Sequence, residues 1–214
     1  MILGFLTVRS RKSIKDDRNN TMARQKEFNR DEVLHKAMEV FWTRGYEGAS
    51  IQDLVKHMGI NRQSIYDTFG DKHSLFLQSL DRYREIESRK VFAVLERPGS
   101  VKKNLRQLFE EVIARAVSAE GRRGCFVGNS MSELAGRCRE TATRTCNSVA
   151  SAEKIFQKAL QRGKEQGELR RVDDTRAVAR FLYSNLQGLL LMAKATRDRK
   201  LLNDVVKVTL SVLD

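Results

Sequence analysis

An all-α fold is predicted for this chain, with a helix-turn-helix near the N-terminus and a longer helical region behind it. Three observations predict it. Proline occurs once in 214 residues, at Pro98, and the chain is rich in Leu, Ala, Glu, Arg and Lys, which favour helices. Apolar residues recur at three- and four-residue spacing, and no alternating strand pattern stands out. Residues 50–72 read SIQDLVKHMGINRQSIYDTFGDK, two short apolar patterns at helical spacing on either side of a glycine-containing turn. That is the layout of two short helices whose second member is free to enter a DNA major groove.

The first helix is expected from about Arg30 to Arg44, with Val33, Leu34, Ala37, Val40 and Phe41 as its buried stripe and Gly45 as its stop. The second carries Ile51, Leu54, Val55 and Met58. Ser50 stands at its N-cap, Asp53 completes a capping box with Asp in place of Glu, and Gly59 suits the left-handed position that ends it. The third runs from Ile65 to Phe69 in its apolar pattern, with Asn61 as its cap. A fourth begins near Asp71 (DKHSLFLQSLDRYREI) and turns Leu75, Phe76, Leu80 and Tyr83 inward. Its first turn lies beside the third helix, and its far end leads into the rest of the chain, so it is a natural lever. RPGS at 97–100 is a break. Further helices are expected over 101–119 (Leu105, Leu108, Phe109, Val112, Ile113), 125–136, 139–166, 174–196 and 199–213. EGRRG at 120–124 and EQGELRRVDD at 165–174 are connections. The 174–196 helix carries Phe181, Leu182, Leu186, Leu189, Leu190, Leu191 and Met192. It is apolar over more of its circumference than a surface helix needs, so burial on two sides is expected, one of them against a symmetry mate.

The third helix carries the chemistry. With Ile65 and Phe69 turned inward, Arg62, Gln63 and Tyr66 share the opposite face. Arg pairs with the O6 and N7 edge of guanine and Gln with adenine. Tyr66, Ser50 and Lys72 suit phosphate contacts, which position a protein without reading sequence. Ser50, Asn61, Arg62, Gln63, Ser64, Tyr66 and Lys72 are therefore the candidate DNA-binding residues, with His73 within reach of phosphate. The bland alternative is a helical hairpin with a solvated polar face.

Beyond these residues, FWTRGYEGASIQDLVKHMGI (41–60) and NRQSIYDTFGDKHSLF (61–76) resemble the TetR family of bacterial transcriptional regulators. The family pattern is a first helix ending in F-x-x-x-G-Y/F, then T/S-x-x-x-[IL]-A, then a recognition helix closing in Y-x-x-F-x-x-K. Here these are Phe41 to Tyr46, Ser50 to Val55, and Tyr66 to Lys72. The match spans about residues 30–77. Asp67 and Thr68 depart from the His or Tyr common at those positions, and Val55 stands where Ala is usual. The resemblance implies a homodimer, a helical C-terminal domain with a ligand pocket, a four-helix dimer bundle, and repression of a double-stranded DNA operator relieved by a small-molecule inducer. It divides the chain into a flexible arm at 1–24, a DNA-binding domain at 25–77, and a ligand-binding and dimerisation domain at 78–214. Candidate pocket residues are Phe109, Ile113, Cys125, Phe126, Asn129, Met131, Phe156 and Tyr183, with Asn185 and Gln187 as further polar contacts; apolar walls with a few polar groups describe most small-molecule pockets.

Net charge is +13, which favours a polyanionic partner. Residues 1–80 hold 13 Lys/Arg against 10 Asp/Glu, whereas residues 81–214 hold 27 against 17. Most of the excess lies outside the helix-turn-helix, so charge supports nucleic-acid binding without locating it. No stretch approaches the ~20 apolar residues of a membrane span, and a cytoplasmic protein without membrane association is expected. MILGFLTV at the start makes a poor signal peptide. Residues 1–21 read as a disordered arm, and Met22 opens a segment that looks more like a natural beginning.

Cys125, Cys138 and Cys146 are the only thiols. Three cysteines give no disulfide framework, and spacings of 13 and 8 with no histidine nearby in sequence give no zinc pattern; no metal and no cofactor are expected. Cys125 follows Arg122-Arg123-Gly124 and begins a helix, a setting that favours thiolate. GCFVGNSMSELA (124–135) resembles a segment of a TetR subgroup in which some members sense oxidants or electrophiles through a cysteine there. The plainer reading is a small buried hydrophobe. No paired catalytic carboxylates, Ser-His-Asp or Cys-His pattern, or phosphate-cradling glycine loop is present, so an enzyme is not expected. A sequence-blind DNA-binding protein is the remaining alternative, and it would need no ligand pocket.

Overall fold

The computed structural model describes residues 28–118 and 120–214; the expected arm at 1–24 lies outside them. The described residues form helices and turns without a strand. The helices are α1 (Arg30–Gly48), α2 (Ile51–Met58), α3 (Arg62–Phe69), α4 (Lys72–Tyr83), α5 (Arg89–Phe92), α6 (Val101–Ala116), α7 (Phe126–Leu134), α8 (Arg139–Glu165), α9 (Thr175–Ala195) and α10 (Arg199–Leu210). A π-helical turn, Arg84–Ser88, joins α4 to α5, and a 3-10 turn, Glu120–Arg123, occupies the expected loop before α7.

Two apolar clusters organise the chain. The first gathers the inward faces of α1 to α4 around Phe41, Leu54, Ile65, Leu75 and Phe76, each at most 1% exposed. It also takes in Phe126, Val127 and Leu134, so α7 packs into the N-terminal core although it lies far along the sequence. Phe126 meets the rings of Phe76 and Tyr83 edge-on, with centroids 5.8 and 5.7 Å apart; such pairs add roughly 0.5–1.5 kcal/mol beyond area burial. The second cluster is built from α6, α8, α9 and α10 around Leu105, Phe109, Phe156, Leu160, Leu182 and Leu202.

One boundary differs from expectation for a physical reason. Gly45 does interrupt α1, with φ 75° and ψ 178°, yet the helix resumes through Gly48. A new first turn needs its N–H groups satisfied, and Glu133 of α7 supplies the acceptors: Tyr46 N donates to Oε2 at 3.0 Å and Glu47 N to Oε1 at 2.8 Å. A side chain at position 45 would meet that carboxylate at 2.8 Å, so this site demands glycine for space as well as for φ. α9 has the two apolar sides expected of it. Within one chain Leu182, Leu186 and Leu189 are buried, but Phe181, Leu191 and Met192 are 45, 65 and 40% exposed. Its core side is covered and its other side is not.

Candidate functional site

The helix-turn-helix is held by caps drawn from its own residues. Asp53 N donates to Ser50 Oγ at 3.1 Å, and Ser50 N donates back to Asp53 Oδ2 at 3.0 Å, completing the expected capping box. Hydrogen bonds from Ser50, hydroxyl first and amide second, hold the Asp53 carboxyl below the usual carboxylate range. Gly59 closes α2 at φ 72°, ψ 20°, the left-handed cap. Asn61 caps α3 by accepting from Ser64 N at 2.8 Å, and Asp71 caps α4 by accepting from Ser74 N at 2.7 Å. Ser50 and Asn61 are thus structural first; what they offer to a partner is secondary to the caps they form.

Ile65 and Phe69 fasten α3 to the core at 0 and 3% exposure. Arg62 and Gln63 stand exposed on the other side, with Tyr66 half-buried beside them. The Tyr66 hydroxyl accepts from Arg62 Nε and Nη2 at 3.3 and 3.2 Å, and Gln63 Nε2 donates to Asp67 Oδ1 at 2.8 Å. These are exposed i, i+4 pairs, worth about 0.2–0.5 kcal/mol each, so they pre-orient the face without locking it. Lys72 rests over the Tyr46 ring, 4.5 Å from its centroid. Ser64 is half-buried, and its amide is spent on the Asn61 cap.

Behind this face, α1 and the segment before α7 meet in a second polar seam. Trp42 Nε1 donates to Gly124 O at 2.9 Å, and the Arg123 guanidinium stacks over the indole at 4.2 Å. Trp42 lines two hollows, of about 290 and about 790 Å³. The larger one is walled by residues of α1, α7, α8 and α9, and includes four of the expected pocket residues: Cys125, Asn129, Met131 and Tyr183, together with Gln187. Arg123, Glu133 and Lys194 add charge to its rim.

The other expected pocket residues lie elsewhere. Phe109 and Phe156 are fully buried in the C-terminal core, and Phe126 is buried in the N-terminal one. Ile113 faces a separate hollow beside α10, and Asn185 is half-buried, its side-chain amide donating to Phe181 O at 2.9 Å. Buried aromatics and cavity-lining aromatics look alike in sequence, so helical spacing alone does not separate them. Trp42 and Glu133 carry no local sequence signal, because their roles depend on contacts spanning 82 and 87 positions.

Cys125 is the N-cap of α7; Gly128 N donates to its Sγ at 3.4 Å, and the Tyr83 hydroxyl lies 3.9 Å away. Burial, and next the neighbouring Cys125, push the Tyr83 and Tyr183 hydroxyls above their ordinary values, so both stay protonated donors. Cys138 is likewise the N-cap of α8, and Thr141, whose amide donates to its Sγ at 3.5 Å, holds its thiol below the ordinary cysteine value.

A capped recognition helix presented by a small helical core, backed by an all-helical domain with a cavity at the join, defines a helix-turn-helix DNA-binding regulator. Comparison with known proteins makes that class specific. Residues 33–78 match the family model for bacterial regulatory proteins of the tetR family, and residues 101–209 match that for the tetracyclin repressor-like C-terminal domain. An uncharacterized HTH-type transcriptional regulator of Bacillus subtilis (strain 168), YezE, is 43% identical over 194 residues, covering 90% of this chain and 100% of that one. The HTH-type transcriptional repressor ComR of Escherichia coli (strain K12) is 31% identical, covering 87 and 90%. Among solved structures, a cysteine-substituted form of the TetR-family regulator CifR, complexed with 26-bp double-strand operator DNA, superposes with a TM-score of 0.73 at 33% identity and covers 89 and 98% of the two chains. The chain belongs to the TetR family of transcriptional regulators.

Proposed function

We propose that this regulator acts as a twofold-symmetric repressor that reads a near-palindromic operator with α3 and is released by a small molecule bound at the α1–α7–α9 cavity. The observation that carries the DNA reading is the shared outward face of Arg62, Gln63 and Tyr66 on a helix anchored by Ile65 and Phe69. Arg62 and Gln63 read base edges, while Lys72 and Tyr66 hold phosphate. The bare apolar side of α9 supports dimerisation: Phe181, Leu191 and Met192, with Val208 of α10 at 71% exposure, form a surface fit for a second copy. On this reading residues 25–77 touch DNA and residues 78–214 carry ligand and partner, with α7 reaching back into the first unit. No helix among the described residues is long and apolar enough to cross a membrane. The cytoplasm is the working compartment, where the three cysteines stay reduced.

Release follows from the seam. A ligand in the larger cavity touches Arg123 and Glu133, whose partners Trp42, Tyr46 and Glu47 belong to the DNA-binding unit. It shifts the operator-binding conformer only as far as it binds two conformers unequally. A second reading places the trigger at Cys125, because its sulfur lines the same cavity: alkylation there fills the cavity covalently. Cys125→Ser should then abolish release by electrophiles and leave operator binding intact; unchanged release removes that reading.

Selection of tight binders from a random duplex library tests the main reading. The expected product is a near-palindrome with half-sites about one helical turn, or a multiple of it, apart, bound by an even number of chains in light scattering. Equal affinity for all duplexes would return the sequence-blind alternative.

A further inference from the structure

We propose that His73, Cys138 and Glu140 form a binding site for a thiophilic divalent cation, zinc foremost, which clasps the recognition end of the N-terminal domain to the start of α8. The three donor atoms lie within 4.8 Å of one another. His73 Nε2 is 3.5 Å from Cys138 Sγ and 3.1 Å from Glu140 Oε2. Zinc takes sulfur at about 2.3 Å and imidazole nitrogen at about 2.0 Å, which at a tetrahedral angle sets the two donors about 3.5 Å apart. The His–Cys pair already has that spacing. An imidazole nitrogen makes one hydrogen bond, as donor or as acceptor, yet a sulfur and a carboxylate oxygen both converge on this one; a cation satisfies all three at once.

The surroundings fit a held ligand set. Tyr46 meets the His73 ring edge-on at 5.7 Å and Phe76 stacks on it at 6.3 Å, fixing the imidazole plane. Thr141 N donates to Cys138 Sγ at 3.5 Å, the outer hydrogen bond that steadies a liganding thiolate. Glu140 is the exposed member, with 69% of its side chain open, so the fourth position faces water. A thiolate, an imidazole and one carboxylate suit zinc and its soft neighbours over magnesium or calcium, which prefer oxygen. Cysteine spacing along the chain gave no hint of this, because the histidine comes from α4 and the other two from the start of α8, 65 positions on.

The cation would tie the first turn of α4, one residue from Lys72, to the C-terminal domain. Arg144 and Asp81 already pair across the same α4–α8 contact. Occupancy therefore fixes how the recognition helix is aimed.

Cobalt(II) titrated into the reduced full-length protein tests the site. The expected result is a thiolate-to-cobalt charge-transfer absorption with intense visible bands, displaced by zinc. It should be lost in Cys138→Ser and His73→Gln, weakened in Glu140→Gln, and kept in Cys125→Ser. Serine is itself a good helix cap, so Cys138→Ser keeps the fold. No such absorption in the unsubstituted protein, or its persistence in Cys138→Ser, overturns the site. Amide exchange in the first turns of α4 and α8 reads the clasp: zinc should slow both, and no change overturns it. A final arm rests on the proposed role of α3. Zinc should alter affinity for the selected duplex by at least about fivefold, the low end for coupled sites, and not in Cys138→Ser. Because the cobalt spectrum and the exchange need no DNA, failure of this arm alone counts against the DNA consequence.

Discussion

The helix starts around the DNA-facing turn and the restart of α1 are capped from opposite distances. Asp53, Ser64 and Ser74 each find their acceptor three residues back, on Ser50, Asn61 and Asp71. Tyr46 and Glu47 find theirs on Glu133, 87 and 86 positions away. A local cap survives any rearrangement of the domains. A remote cap exists only while α1 and α7 stay docked, so it reports on docking. The recognition unit is built to be constant, and the seam behind it is built to depend on context.

Substitutions at four positions break or sharpen that contrast. Phe126→Ala should have the largest effect, about 3–5 kcal/mol of stability lost in urea unfolding, with amide exchange quickened in α1 and α4 as much as in α7. Faster exchange confined to α7 would mean that α7 is an appendage of the N-terminal core. Arg62→Ala should weaken binding to the selected duplex by about 1–3 kcal/mol and relax one base pair, with thermal stability almost unmoved. An equal loss on random duplex, read by fluorescence anisotropy, would contradict base reading by this side chain. Glu133→Ala should cost about 1 kcal/mol of stability, since the part-buried Tyr46 amide loses its acceptor. Glu133→Gln, which keeps an oxygen in place, should cost less; a calorimetric melt separates the two, and identical losses would point to packing instead of capping. Lys72→Ala should reduce the slope of log affinity against log salt by about 1 on specific and random duplex alike. An unchanged slope would take Lys72 off the phosphate and leave it as the cover of Tyr46.

These differences in reach explain what could be read in advance. The helix-turn-helix was legible because its caps and its buried stripe repeat within four residues: Ser50 and Asp53, Asn61 and Ser64, Ile65 and Phe69. The inward residues of α4 and α6 followed from the same periodicity. The cavity was half legible. Tyr183 and Met131 line it, while Phe109, Phe126 and Phe156, no different in a sequence window, are packed solid. What separates them is the gap left where α7 leans on α1, and no local pattern encodes a gap. The α7–α1 docking, the Glu133 cap and the His73–Cys138–Glu140 cluster all join residues from distant elements. Only the exposed apolar side of α9 left a long-range signal, as surplus hydrophobicity around the helix.

One feature of the seam has a practical side. The chain has a single tryptophan, and it is Trp42, which borders both hollows, donates to the Gly124 carbonyl and lies under the Arg123 cation. Its emission is an optical gauge installed by the sequence itself. Compounds entering either space, or adducts on the nearby sulfur, should change its colour or brightness, so effectors can be screened on the unlabelled protein before any target gene is known.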